Sequence, residues 1–384
     1  MIYLIIEFID ELVFGVGEAA WPLIRSDLHL NYAQIGLALS LPGVIGNIIE
    51  PFLFILGDVW KRRAIILLGG VLFVLSLFLT SVSFSFLILL LSFILFNPAS
   101  GSFVSLSQAS LMDSDPARHE QNMVRWTFAG SIGVLFGPLL LGGLISLNFG
   151  WRPAYWILAS LSTLILFAAY RRIPSSQFAA DDFPSPRVYF EGLHSALSAL
   201  KNWTVLRWLI LLEFSDLMLD ILHGFLALYL VDVMQLTPAN AAFYLTGYTA
   251  IGLAGDFLLI PFLERVKGLD YLRVSVVIEC ILLPLFLVVK ITWLKLILLA
   301  LIGLFVTGWY AILKANQFSS MPGQSGTAQA LGSISGIIGK LLPLGIGFAA
   351  QAYGLAAAMW LLLAGPIALL VGLPRKKITA TSES

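Results

Sequence analysis

The chain has 384 residues, no net formal charge, 59% hydrophobic and only 11% charged residues, with a mean hydropathy of +0.93. Soluble domains average about 45–50% apolar and about 25% charged residues, so a water-soluble globular fold is excluded. With no net charge, nothing draws the chain to nucleic acid, and a single cysteine, Cys280, excludes an intramolecular disulfide.

A helix that crosses a hydrocarbon core about 30 Å thick needs about 20 apolar residues. Twelve such runs follow one another, at 2–24, 33–56, 64–82, 86–111, 123–147, 153–170, 204–230, 240–262, 271–289, 294–314, 327–350 and 355–373. The opening MIYLIIEF lacks the basic segment and small-residue cleavage site of a signal peptide. The first run is therefore expected to be retained as its own insertion signal, and its abrupt start leaves room for a start codon upstream of Met1.

Lys and Arg collect on alternate connections: Lys61, Arg62 and Arg63; Arg118; Arg171, Arg172, Arg187 and Lys201; Arg265 and Lys267; and the tail Arg375, Lys376 and Lys377. The other face holds Arg25, Arg152, Lys290 and Lys295. The excess of positive charge predicts that the first set, with both termini, is cytoplasmic.

The first run carries EFIDELVFGVGEAAW, with Glu7, Asp10, Glu11 and Glu18 inside an otherwise apolar segment. On a helix these four share one stripe about 100° wide. The second run ends on Glu50 and leads into FILGDVWKRR (54–63). The fifth begins near Arg125 and contains GSIGVLFGPLLLGG (130–143). Between the sixth and seventh runs lies the longest polar connection, 173–202, with an amphipathic stretch from Arg187 to Lys201 that is expected to lie on the membrane surface. The seventh run again places Glu213, Asp216, Asp220 and His223 on one stripe, the eighth adds Asp256 and Glu264, the ninth Glu279, and the eleventh Lys340.

A shift of 206 residues overlays the two halves of the chain. Glu7-Phe8-Ile9-Asp10 falls on Glu213-Phe214-Ser215-Asp216, Gly46 on Gly252, Glu50 on Asp256, Asp58 on Glu264, Pro116 on Pro322 and Gly133 on Gly339. After a small deletion, Gly150 and Trp156 fall on Gly354 and Trp360. Carboxylate on carboxylate at four places in one register marks a duplicated six-helix unit. The fold class follows: an all-α integral membrane protein of twelve transmembrane helices, in two six-helix bundles related by a parallel repeat. The units are expected at 1–172 and 203–384, the latter with a short cytoplasmic tail, joined by a cytoplasmic loop at 173–202.

This 6+6 arrangement resembles the major facilitator superfamily over essentially the whole chain. That family's signature after helix 2 is G-x-x-x-D-R/K-x-G-R-R/K; Asp58, Arg62 and Arg63 match it, while Phe54, Val59 and Lys61 depart. Gly133, Gly137, Pro138, Gly142 and Gly143 are similar to the family's antiporter motif in helix 5, with the last spacing one residue longer. The resemblance implies secondary transport by alternating access, a substrate site near the midplane between the halves, a central cavity lined by helices 1 and 7, and a monomer.

A charged residue facing lipid at the bilayer centre costs at least about 2.5–3.5 kcal/mol, so both acid stripes must face protein or water. At about 1.5 Å per residue, Asp10, Glu11 and Glu50 come to similar depths, roughly 10–15 Å from the cytoplasmic side, and are expected to share a site. Asp216 and Asp256 mirror it, and Glu18, Asp220 and His223 lie further out. These eight side chains are the expected substrate- and proton-binding set, with Arg125 and Lys340 as counter-ions and Asp58, Arg62, Arg63 and Glu264 as loop or gating charges. Glu7 is expected to face water at the helix mouth, Glu279 to serve a structural pairing, and Trp126, Trp309 and Tyr310 to stack on an organic cation or to pack.

A carboxyl that holds either a proton or a cation is the simplest exchange device. The expected function is proton-coupled efflux of an organic cation or drug-like solute across a plasma (inner) membrane. The proton gradient supplies the energy, and no cofactor and no resident metal are expected. A divalent metal or a neutral solute on the same fold is the first alternative; a sugar site does not require this many acids. The absence of HExxH, GxSxG and a Walker loop argues against a membrane-embedded enzyme, and a non-transporting sensor is the alternative from another class.

Overall fold

The structure is a computed structural model that describes residues 1–59, 61–114, 119–174, 201–320, 331–332 and 335–374. The expected surface stretch beginning at Arg187, Pro116 and Pro322 of the repeat, and the tail Arg375–Lys377 lie outside these residues.

Twelve spans follow in chain order. The first six are α1 (Ile2–Asp27), α2 (Tyr32–Val59), α3 (Arg62–Ser81), α4 (Phe86–Ser100, continuing to Leu106–Ser114), α5 (His119–Ser146) and α6 (Trp151–Arg172). The second six are α7 (Trp203–Ser215, continuing through Leu222–Leu228), α8 (Pro238–Leu263), α9 (Gly268–Val288), α10 (Thr292–Phe305, then Trp309–Ser319), α11 (Ser335–Tyr353) and α12 (Leu355–Gly372). Ten of these described helices are long and apolar enough to cross a membrane on length and composition alone. The other two, α1 and α7, are the pair that carry the acid stripes. Large apolar side chains such as Leu68, Leu164, Ile260 and Val371 stand exposed around the bundle, as a surface solvated by hydrocarbon requires.

The halves break their fourth helix at corresponding places. In α4 a wider π turn at Gly101–Ser105 follows Pro98, and the Ser102 hydroxyl donates to the Pro98 carbonyl at 2.9 Å. In α10 the helix stops at Phe305 and restarts at Trp309, through Gly308 at φ +74°. That left-handed backbone, with the Leu259 side chain where a Cβ would sit, admits only glycine. The seventh span is loosened by two π turns, Leu217–Ile221 and Tyr229–Val233, where such turns often mark functional segments.

Small residues set the closest helix approaches. Within the first half, α5 presses on α1: a Cβ added at Gly137 would fall 2.6 Å from the Gly15 backbone, and one at Gly133 would fall 2.5 Å from the Phe8 carbonyl. Between the halves, Gly36 on α2 meets Gly347 on α11 just as closely, and Gly142 on α5 faces the Phe243 ring on α8. The connection holding Lys61, Arg62 and Arg63 marks the basic face of the bundle, and the α1–α2 turn lies at the opposite face.

Candidate functional site

Two adjoining spaces of about 730 and 480 Å³ share Glu11, Val134, Asp220 and His223 and form one central cavity. Its walls come from α1, α2 and α5 of the first half and α7, α8, α10 and α11 of the second. It reaches Trp126 at the start of α5 and Leu263 at the end of α8, both on the basic face.

The opposite face is tied shut across the halves. Asp232 on α7 accepts from Arg25 Nη1 at 2.6 Å and from the Tyr32 hydroxyl at 2.7 Å, and the Arg25 guanidinium lies 4.3 Å over the Tyr32 ring. The Tyr32 amide donates to Gln351 Oε1 at 3.1 Å, and the Leu344 amide to Ser40 Oγ at 2.8 Å. The sequence places Arg25 on this face but gives none of these contacts. The signal available was the repeat, in which Arg25 overlays Val231, next to Asp232.

The acids of α1 divide between two surroundings. Glu11 and Glu18 face the cavity. Asp10 turns into the first half, 5% exposed, and accepts from Ser100 Oγ at 2.8 Å. Glu50 lies over the same turn of α4, so close that a Cβ at Gly101 would come within 2.8 Å of its Cγ. The expected trio of Asp10, Glu11 and Glu50 is thus corrected to a pair, and neither Asp10 nor Glu50 lines the central cavity. Adjacent residues on a helix point about 100° apart, which separates Asp10 from Glu11. Glu7, expected in water at the helix mouth, is 7% exposed and folded against Gly130 of α5 at the cavity wall.

The second half keeps its acids open. Asp216, Asp220 and Glu213 line the cavity beside Lys340. Lys340 Nζ stands 3.5 Å from Asp220 Oδ2 and within electrostatic reach of Asp216 and Glu213. Asp256 also lines the cavity, so the mirror of Asp10 and Glu50 is broken. The serine that holds Asp10, shifted by the repeat, is Val306, which offers no hydroxyl.

His223 bridges the halves. Its Nδ1 lies 3.3 Å from Glu18 Oε2 on α1, and its Nε2 lies 3.3 Å from Thr249 Oγ1 on α8. The Tyr248 ring packs edge-on against it, with centroids 5.5 Å apart. Thr249 and Tyr248 were not singled out from the sequence; their spacing of 25 and 26 residues from His223 carries no signal without the fold.

Arg125 is exposed and makes no ion pair with a described residue, so its expected counter-ion role is corrected; a place near a helix end fixes depth but not direction. Arg62 donates to the Gly57 carbonyl at 3.0 Å, and Arg63 to the Tyr170 carbonyl at 2.8 Å, which ties the α2–α3 loop to helix ends. The Asp58 side chain lies outside the described residues, and Glu264 is exposed. Of the helix-5 motif, Gly133, Gly137 and Pro138 pack on α1, Gly142 faces α8, and Gly143 touches nothing within 4 Å. Trp126 and Tyr310 line the cavity, whereas Trp309 is fully buried and donates to Ser275 Oγ at 2.8 Å. Glu279 is fully buried, and neither of its oxygens has a hydrogen-bond partner among the described residues, so the expected structural pairing is corrected. Among the described residues no three His, Cys, Asp or Glu side chains are arranged to hold a metal ion.

A family model for the Major Facilitator Superfamily matches residues 3–342. A "Probable sugar efflux transporter" of Helicobacter acinonychis (strain Sheeba) is 24% identical over 354 residues, covering 88% of this chain and 87% of that one. The "Quinolone resistance protein NorA" of Staphylococcus aureus (strain MSSA476) is 24% identical over 264 residues, or 67% and 64% of the two chains. Among solved structures, a mutant of nucleoside transporter NupG superposes with a TM-score of 0.80 at 15% identity, covering 97% of this chain and 98% of that one. A bacterial homologue of the human lysosomal transporter Spinster, described as inward-facing and unoccupied, superposes with a TM-score of 0.74 at 17% identity, covering 97% and 92%.

Proposed function

The chain belongs to the major facilitator superfamily and is a multi-pass membrane transporter, and on that premise we propose that it exports an organic cation in exchange for protons by alternating access. The observation that carries the reading is the charge of the cavity. Glu11 and Glu18 from one half and Glu213, Asp216 and Asp220 from the other line a space with Lys340 in its wall and Lys314 within reach of Glu213 and Asp216, five acids against two lysines. Such a surplus concentrates cations and repels anions.

With the basic face cytoplasmic, the cavity opens inward and the Arg25–Asp232–Tyr32 contact closes the outside. A solute cation entering from the cytoplasm takes the place of Lys340 beside Asp220 and Asp216. Once the outer contact parts and the inner ends close, protons from outside occupy the carboxylates and release the cation. The protonated, cation-free carrier then returns. Glu18 and His223, facing each other from opposite halves at 3.3 Å, sit where a proton can pass between them during that step. The expected setting is a plasma membrane, with the chain as a monomer.

Sugar efflux is the second reading, favoured by relatives so named that cover most of this chain. On that reading the acids accept hydrogen bonds from hydroxyls, and Trp126 and Tyr310 present ring faces to the pyranose.

Everted vesicles holding an inward-acidic pH gradient separate the two. Permanently charged quaternary ammonium ions should collapse the gradient in wild type and leave it standing in Glu11→Gln and Asp216→Asn vesicles. Collapse by sugars alone would transfer the protein to the second reading, and no response to any solute would remove proton exchange.

A further inference from the structure

Inside the first half, beside the central cavity, lies a separate space of about 140 Å³. Phe14 and Trp21 of α1, Phe93 and Phe96 of α4, Ala38 of α2 and Leu77 of α3 belong to its apolar wall, to which Glu18, Thr80, Asn97 and Tyr155 add polar groups. The rings are fixed in edge-to-face pairs: Phe14 with Phe96 at 5.5 Å and 73°, and Trp21 with Phe93 at 5.9 Å and 83°. Such pairs are the favoured arrangement of aromatic quadrupoles, so the wall is ordered without anything inside it.

Interiors pack with few voids larger than a water molecule, and an apolar void of about 150 Å³ stays dry and takes up benzene. A space of this size therefore has room for one six-membered ring. It is not isolated. Phe14, Glu18 and Leu39 line both this space and the central cavity, so a carboxylate stands at its mouth, on the side where His223 meets it.

We propose that this side pocket is the specificity site of the transporter, and that it receives a single aromatic ring of a substrate whose cationic group lies against Glu18. The inference rests on the cation-export reading and narrows it to amphiphilic cations with one ring close to the charge. A ring inserted here contacts Phe93 and Phe96 by its edges and faces, while the charge stays in the wet cavity among the acids. The same division explains why α1 carries its outer acid between two aromatic residues, Phe14 four positions before it and Trp21 three after it, and not further along the helix.

The test compares tetramethylammonium with benzyltrimethylammonium, which share a permanent charge and differ by the ring. Binding to the purified full chain in lipid nanodiscs is measured by titration calorimetry. Wild type should bind the benzyl ion at least tenfold more tightly. Ala38→Leu fills the ring's space from α2 and should abolish that preference while leaving tetramethylammonium within threefold. Leu77→Phe fills it from α3 and should do the same, which guards against one variant failing to fold. Equal affinity for both ions in wild type, or a preference that survives both fillings, overturns the pocket. Ring-selective binding without collapse of the pH gradient in vesicles would sink proton exchange and leave the pocket standing. Gradient collapse without ring selectivity would do the reverse, and binding of neither ion overturns both.

Discussion

Asp232→Asn should move the protein toward the state open at the opposite face. Asp232 takes 2.6 and 2.7 Å bonds from Arg25 and Tyr32 on the other half. A Coulomb contact of this kind at about 4 Å in a medium of effective dielectric about 20 is worth about 4 kcal/mol before desolvation. The two side chains are 32% and 21% exposed, so solvent screens the pair and its partners recover water when it opens. Hydrogen bonds to a charged group contribute a net 1.5–3 kcal/mol or so, and about 2 kcal/mol is a fair value for the contact. Asparagine keeps the acceptor oxygen but loses the charge, which removes roughly half of it. At about 1.4 kcal/mol per tenfold, the closed population should fall some fivefold relative to the open one. Spin labels at His29 and Gln235, in a Cys280→Ser background, report the separation of the two halves at that face by electron–electron resonance. A distance distribution for Asp232→Asn identical to that of wild type would refute the claim that this contact holds the face shut.

Three further outcomes follow from the same geometry. Ser100→Ala deprives the buried Asp10 of its hydroxyl donor and should lower stability by about 1–3 kcal/mol, seen as a lower unfolding midpoint in scanning fluorimetry; an unchanged midpoint would mean that Asp10 has another partner. Gly137→Ala forces a Cβ into the Gly15 backbone and should cost about 1–3 kcal/mol by overpacking, whereas Gly143→Ala, with open space around it, should be neutral; equal effects in the same assay would contradict the packing. Glu279→Met replaces a buried carboxyl that has no hydrogen-bond partner among the described residues by an apolar chain of similar length and should stabilise the protein by about 1–3 kcal/mol, with transport retained. Loss of transport in a well-folded Glu279→Met protein would instead make that carboxyl functional.

The sequence shows the fold and the charged helices plainly, because the energetics there are coarse. Hydrocarbon forces long apolar runs, and acids within such runs must face inward, so α1 and α7 stand out from the other ten spans. Periodicity gives a stripe but not its neighbours. Asp10 and Glu11 differ by one residue and by about 100° of azimuth, and only the position of α4 decides that one meets Ser100 and the other the cavity. Depth has the same limit: Arg125 has a place along its helix that suits a counter-ion, yet it is exposed and makes no ion pair with a described residue. Contacts between distant spans, such as Arg25 with Asp232, need the register of both helices before they can be read at all.

The broken mirror between the halves is the more instructive failure. Duplication conserves the acids, Asp10 with Asp216 and Glu50 with Asp256, and so suggests two equal sites. What differs is the shell around them. In the first half Asp10 is buried on a serine bond and Glu50, half-buried, lines neither part of the central cavity; in the second, Val306 replaces that serine and both acids line the cavity, with Lys340 close to Asp216. The aromatic pocket, by contrast, belongs wholly to the first half. An exchanger needs one part that trades charge and another that recognises shape, and a symmetric pair of sites would do each twice and poorly. On this reading the second half handles charge and the first reads the ring, and Glu18 and His223, face to face across the interface, join the two tasks.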